Sequence, residues 1–237
     1  MSDLIFDQFS RLLQSLSPTD PWPALEASGF LDLLLPEAEG GADLSLDDLF
    51  PLALETGRLA DIPGVVETMV ARRLDRAGEA GAVMAPLLAA AVAAARMAGA
   101  MEQIQDMTVE YANTRRQFGR EIGKFQAIQH QVAVMAQETA AARMAAQLAF
   151  TGAPLAINPH RAGLAKLRAG EAAWRVSAIA HAVFGAIGVS HEHHLQRFTG
   201  ALYRWRMAHG GESYWARRLG AWALSSDQDA VTLARGL

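Results

Sequence analysis

Residues Tyr111 to His130 read YANTRRQFGREIGKFQAIQH, and the fold turns on how this stretch is read. An Arg pair, an aromatic residue, a glycine and a Phe-Gln step fall between two long Ala-rich segments whose apolar residues recur at helical spacing. The stretch therefore reads as a tight turn between two long helices, with the composition of a loop that binds an anion and a ring. The Arg115 guanidinium offers a planar fork of donors to phosphate oxygens. Phe118 is of the type that stacks on a purine, and Gly119 lets the backbone turn. Without that chemistry, Arg115 and Arg116 are solvated charges that favour a helix C-terminus, and Phe118 and Phe125 are core.

Before this turn, residues Ala82 to about Arg115 are expected to form one helix, with Pro86 tolerable only near its first turn. At about 1.5 Å per residue it is roughly 45 to 50 Å long. After the turn, helices are expected from about Phe125 to Phe150 and from about Pro159 to Phe184, where Gly185 and Gly188 end the pattern. A fourth covers about Glu192 to Ala208, and a last amphipathic stretch runs beyond Gly210-Gly211 to about Leu224. Long helices joined by short turns pack antiparallel as a four-helix bundle. Upstream, Leu4, Phe6, Phe9, Leu12, Leu13 and Leu16 mark an amphipathic helix, Trp22 to Ala27 a short one, and two more run to about Leu59 and Leu74. No run of alternating β-branched and polar residues predicts a strand. The fold class is thus all-α, with an N-terminal helical domain over residues 1–76 and a C-terminal four-helix-bundle domain over residues 77–237.

Composition narrows the function classes. The 237 residues are 51% hydrophobic and 19% charged, ordinary for a globular protein. A formal net charge of -4 gives no electrostatic reason to expect nucleic acid. With no cysteine there is no disulfide, thiolate metal site or Cys nucleophile. The N-terminus carries acidic residues and does not read as a signal peptide. The uncharged run from Ala80 to Ala95 is shorter than the roughly 20 residues of a membrane span, so no span is expected and a cytoplasmic location is the simplest assignment. His191, Glu192, His193 and His194 are metal-ligand types, but their spacing at a helix start sets them on different faces, and no metal is expected. Tyr203, Trp205, Tyr214, Trp215 and Trp222 read as core and subunit-contact residues. Neither a P-loop nor a dinucleotide G-x-G-x-x-G is present.

The opening stretch resembles the Y-A-x-x-R-x-Q-F-G-x-x-I-x-x-F-Q-x-I-Q signature of acyl-CoA dehydrogenases. Gly29 to Gly41, GFLDLLLPEAEGG, resembles a P-E-x-x-G-G segment of that family's N-terminal helical domain. AHAVFGAIGVSHEHHL, beginning at Ala180, is similar to its Q-x-x-G-G-x-G-x-x-x-E-x-x-L element. The resemblance implies a flavoprotein oxidoreductase of lipid metabolism that uses FAD to dehydrogenate an acyl-CoA thioester between its α and β carbons, in an oligomer. It implies that Arg115 faces the FAD pyrophosphate, that Gln117 and Phe118 lie at the adenosine, and that Phe125 and Gln126 complete the wall. Gly185, Ala186 and Gly188 fall on the glycine positions that bring backbone amides to the phosphates. Ala182 stands where the family often has a flavin-contacting Gln.

Two departures set this chain apart. Family members carry a β domain of roughly one hundred residues between the helical parts, where this chain has only the seven residues Asp75 to Gly81. The family's usual catalytic Glu falls on His209, beside Gly210, and the alternative base position falls near Ala89, so neither is a carboxylate. Glu212 and His209 are the remaining candidates for a base. The expected partners are an acyl-CoA substrate and either a second copy of the chain or a longer acyl-CoA dehydrogenase subunit. The alternative is a non-catalytic assembly protein that kept the bundle and lost the chemistry.

Overall fold

The computed structural model describes residues 3–17, 19–60, 62, 64–152 and 156–236. Four helices, α1 (Asp3–Ser15), α2 (Trp22–Ser28), α3 (Leu46–Arg58) and α4 (Val65–Arg76), precede the longest element, α5 (Glu79–Thr114). A two-stranded hairpin follows, β1 (Arg116–Gln117) and β2 (Arg120–Glu121), and then α6 (Gln126–Ala149) and α7 (Pro159–Phe184). A 3₁₀ turn over Gly185–Val189 leads to α8 (Leu195–Met207), α9 (Glu212–Leu224) and a short α10 (Ala230–Arg235).

Helix α5 is the axis of the molecule. Every residue from Ala90 to Met101 is buried, because α3, α4, α6, α7 and α8 surround it. A helix covered on all sides needs no polar face, which explains the run of alanines. Small residues also let backbones approach. A Cβ at Gly99 would stand 1.9 Å from the Leu54 carbonyl oxygen, and one at Gly57 would stand 2.0 Å from that of Arg96. Helix α3 is fixed at its start by a reciprocal capping box, the Asp48 N–H donating to Ser45 Oγ and the Ser45 N–H donating to Asp48 Oδ2, both at 3.2 Å. One hydrophobic cluster runs from Phe9 on α1 to Leu202 on α8, so the core is continuous across residue 77.

The structure corrects the sequence reading in several places. Asp75 and Arg76 complete α4 and Glu79 to Gly81 begin α5, which leaves only Ala77 and Gly78 as the connection. Pro86 consequently lies inside α5, beyond its first turn. It is tolerated because Pro86 and Ala82, whose carbonyl loses its helical partner, both face outward. By length and composition, α5 and the segment Pro159–Val189 are apolar enough to cross a membrane. The run from Ala80 to Ala95 understated α5, whose apolar stretch is the buried axis of the bundle. The turn after α5 contains strands, pairing Arg116 with Glu121 and Gln117 with Arg120. Its two-residue loop, Phe118-Gly119, has positive φ at both positions, +52° and +81°, as a type I′ turn requires. Helix α8 starts at Leu195 rather than Glu192.

Candidate functional site

Two segments distant in sequence meet at one end of the bundle: the end of α5 with its hairpin, and the end of α7 with its 3₁₀ turn. The Tyr111 ring stacks on that of Phe184, with centroids 4.4 Å apart and planes 23° apart. Below them Ala112, Ile122 and Val183 form a small apolar cluster. A cavity of about 460 Å³ lies between the two segments, with Tyr111, Arg115, Gln117, Ala182, Gly185 and Ala186 in its wall.

Local structure sets each of these groups. Arg115 closes α5 through its N–H to the Tyr111 carbonyl at 2.8 Å, then turns extended and accepts the Ile122 N–H at 2.8 Å. Its guanidinium makes no ion pair among the described residues, whereas Arg116 is engaged by Glu121 at 3.1 Å and by the Gly119 carbonyl at 3.2 Å. Gly185 takes φ +65° and ψ -144°, a conformation that a side chain would strain. Gly185 and Ala186 are exposed on the cavity wall, so nothing larger than a methyl group stands between backbone and ligand space.

Of the eight residues expected at the cofactor, Arg115, Gln117, Gly185 and Ala186 share this cavity. The other four lie outside its wall. Phe118 is 92% exposed at the hairpin tip and meets Phe125 edge-on at 6.1 Å. A left-handed phenylalanine costs about 1–2 kcal/mol, which an aromatic ring held out in solvent does not recover within this chain. Phe125 is half-buried beneath the Arg120 guanidinium at 4.2 Å, and Gln126 is exposed at the start of α6. Gly188 is a packing residue: it is buried, and a Cβ there would stand 2.8 Å from the Phe184 Cβ and 3.0 Å from Leu195 Cδ2.

The candidate bases lie elsewhere, at the turn between α8 and α9. Glu212 accepts from Arg206 Nε at 2.5 Å and lies against Gly170, where a Cβ would meet its carboxylate at 2.4 Å. His209 is exposed at φ +56°, and its carbonyl accepts from Trp215 Nε1 at 3.1 Å. Beneath the turn is a residue the sequence reading missed. Lys166 of α7 is 1% exposed and donates to the carbonyls of Arg206 and Gly210 at 2.8 and 2.9 Å. Burial lowers its pKa to about 8. The signal for it was a lone lysine on the small-residue face of Ala162, Gly163, Ala169 and Gly170.

A second cavity, of about 440 Å³, opens between α4 and α5 and was also missed. Val70, Leu74, Ala85 and Val92 supply apolar walls, with Glu67 and Asp75 as its charged residues. Ala89, the alternative base position of the resembled family, is in this wall. Small residues spaced along one face of α5 at Gly81, Ala82, Ala85 and Ala89 were its signal. Just before α8, the His193 ring lies tilted against Phe184, with centroids 4.5 Å apart, and its Nδ1 accepts the Leu195 N–H at 3.0 Å. No group of three or more metal-ligand side chains converges among the described residues.

Residues 81–222, which contain the hairpin, the glycine turn and both candidate base positions, match the family model of the acyl-CoA dehydrogenase C-terminal domain. The chain belongs to the acyl-CoA dehydrogenase family. It is 38% identical over 122 residues to acyl-CoA dehydrogenase IpdE2 of Mycobacterium tuberculosis, covering 52% of this chain and 35% of that protein. It is 38% identical over 108 residues to glutaryl-CoA dehydrogenase of Desulfococcus multivorans, covering 45% and 28%. The chain thus spans about a third of the length of these relatives. Among solved structures it superposes on a chain of the ChsE4-ChsE5 complex from Mycobacterium tuberculosis with a TM-score of 0.59 and 29% identity, over 64% of this chain and 42% of that one. It also superposes on a chain of a Tcur3481-Tcur3483 steroid ACAD variant with a TM-score of 0.78, covering 94% of this chain and 96% of that one. At 21% identity the second likeness concerns the fold alone.

Acyl-CoA dehydrogenases use FAD, and the first cavity fits part of that cofactor. The Arg115 guanidinium, which has no ion pair among the described residues, the Gln117 amide and the Gly185-Ala186 backbone suit a diphosphate and its adenosine. The two residues between α4 and α5 supply nothing to cover the isoalloxazine.

Proposed function

We propose that this chain is the helical subunit of a flavin-dependent acyl-CoA dehydrogenase assembly, completed by a longer family member that supplies the β domain. The observation that carries the reading is the convergence of Arg115 and Gln117 with Gly185 and Ala186 in one cavity, held by the Tyr111–Phe184 stack. In this reading Arg115 binds the pyrophosphate, Gln117 hydrogen-bonds the adenosine, and Phe118 reaches from its exposed tip toward the purine or the adjoining subunit. When bound, FAD accepts the hydride that leaves the acyl β-carbon. The cavity between α4 and α5 takes the acyl group, and its apolar walls exclude water from it. The α-proton goes to a carboxylate of the longer subunit, because Ala89 and His209 are not carboxylates and Glu212 is held by Arg206.

That last pair also favours a second reading, an assembly protein without chemistry. One experiment separates the two. The chain is co-expressed with a longer acyl-CoA dehydrogenase subunit, and flavin absorbance and dye reduction by acyl-CoA thioesters are measured on the complex and on the chain alone. Bound flavin and turnover are expected in the complex only. Arg115→Ala removes a charge-assisted contact worth about 1.5–3 kcal/mol, so flavin affinity falls about tenfold or more with helicity unchanged. Equal affinity in mutant and parent overturns the cofactor reading and leaves the assembly reading.

A further inference from the structure

A cavity of about 370 Å³ lies between the start of α7 and helix α9, and it shares no wall residue with the two cavities described above. Pro159 and His160 line it from α7, and Trp215, Arg218, Leu219 and Ala221 from α9. Trp215 is 3% exposed and its Nε1 is committed to the His209 carbonyl at 3.1 Å, so the indole offers the cavity a ring surface and no donor. The His160 ring lies flat on Trp222, with centroids 3.9 Å apart and planes 16° apart, which fixes its orientation. Arg218 makes no ion pair or hydrogen bond among the described residues; its guanidinium carbon stands only near two rings, 5.5 Å from Tyr214 and 5.9 Å from Trp215. No carboxylate lines this cavity among the described residues. Arg218 is exposed and His160 half-buried, so a ligand reaches both from solvent. Burial pushes the His160 pKa below its ordinary value, and the Arg218 charge pushes it further the same way. The two groups are therefore neighbours, and the neutral imidazole has one N–H to donate.

We infer that this cavity is a binding site for a small aromatic carboxylate, its ring against Trp215 and its carboxylate on Arg218 and His160. The ligand class follows from the lining. A planar guanidinium fork matches a carboxylate in two parallel hydrogen bonds, and the apolar residues around it supply a ring surface. The volume is near the low end of ligand cavities, which run from about 300 to 1,000 Å³, so it suits one ring or two fused rings. One guanidinium balances one negative charge. A phosphate monoester carries about -1.5 to -2 at neutral pH, and part of that charge finds no cation in this wall. The occupant touches the indole that fixes the turn at His209, where the family's base position falls.

The test is calorimetric titration of the full chain with four probes: indole-3-acetate, the neutral indole-3-ethanol, acetate without a ring, and indoxyl phosphate. Indole-3-acetate is expected to bind about tenfold or more tightly than indole-3-ethanol or acetate, the effect of one charge-assisted contact, and indoxyl phosphate more weakly than indole-3-acetate. Arg218→Gln is expected to abolish the preference for the acid over the alcohol. Arg218→Lys keeps the charge without the fork, so it retains part of that preference. His160→Phe keeps a ring on Trp222 and loses the N–H, so the acid binds several-fold more weakly. Arg218 is on the surface, and circular dichroism of its variants is expected to match the parent. Absence of indole-3-acetate binding, equal binding of acid and alcohol by the parent, or unchanged affinity in Arg218→Gln overturns the site. Indoxyl phosphate bound as tightly as indole-3-acetate overturns the carboxylate class.

Discussion

Tyr111 and Phe184 lie 73 positions apart in the chain and stack at 4.4 Å between ring centroids. This contact ties the end of α5 to the end of α7 and sets the width of the cavity between Arg115 and Gly185. Tyr111→Ala removes a ring pair worth about 0.5–1.5 kcal/mol beyond its buried area. Thermal stability and flavin affinity of the assembled protein are both expected to fall, and Tyr111→Phe is expected to keep both. Loss of stability with unaltered flavin affinity would separate the stack from the cavity.

Ala182 is exposed on the cavity wall, at the position where the family often carries a glutamine toward the flavin. Ala182→Gln is expected to tighten flavin binding several-fold, the effect of one neutral hydrogen bond of about 1 kcal/mol. Flavin titration of the two proteins side by side checks this, and weaker binding by the variant would show that the cavity has no room for the amide.

Lys166 gives the protein a pH signature. Its pKa is about 8 when folded against an ordinary 10.5, so between those values the unfolded chain binds more protons, and stability rises with pH. The slope from this group is at most about 1.4 kcal/mol per pH unit. The neutral amine still has two N–H donors for the carbonyls of Arg206 and Gly210. Urea midpoints measured from about pH 8 to about 9.5, below the tyrosine range, are expected to rise in the parent relative to Lys166→Met. Parallel curves would disprove it.

Glu138 on α6 is buried between two arginines of α7, accepting from Arg168 and from Arg175 at 2.7 Å. Burial would raise its pKa, but the hydrogen bonds from Arg168 and Arg175 outweigh burial and hold it below the ordinary carboxylate range. A lowered carboxylate pKa contributes stability above its unfolded value, about 4.3, and that contribution is lost as pH falls through the folded value. Glu138→Leu is expected to cost about 3 kcal/mol at neutral pH, the low end for a broken buried pair, since both arginines retain some access to solvent. The gap between parent and variant should close in acid, which denaturation at neutral and low pH will show.

The helices were legible because their apolar spacing is dictated by burial, and the residues of the turn after α5 stood out because their types and spacing resemble the family's signature. What stayed hidden depended on pairs of elements. The Tyr111–Phe184 stack, the seat of Lys166 and the bond between Glu67 and Arg96 each join helices whose relative rotation no local pattern reveals. Gly188 looked like a phosphate-turn glycine because Gly-small-Gly patterns serve packing and ligand approach alike. Only its neighbours Phe184 and Leu195 decide between the two. The hairpin escaped because two-residue strands have no alternation to read.

Gly78, in the short connection before α5, takes φ +57°, and nothing lies within 4 Å of where a side chain would stand. The ends of α4 and α5 are therefore next to each other at the surface, on the rim of the cavity that both helices line. Such a point is a natural graft site: a module with adjacent termini can be spliced in there without moving either helix, and it would stand over the cavity mouth. The same frame can thus be roofed in cis by insertion or in trans by association, and the choice alters the wiring of the chain while leaving the helical frame intact.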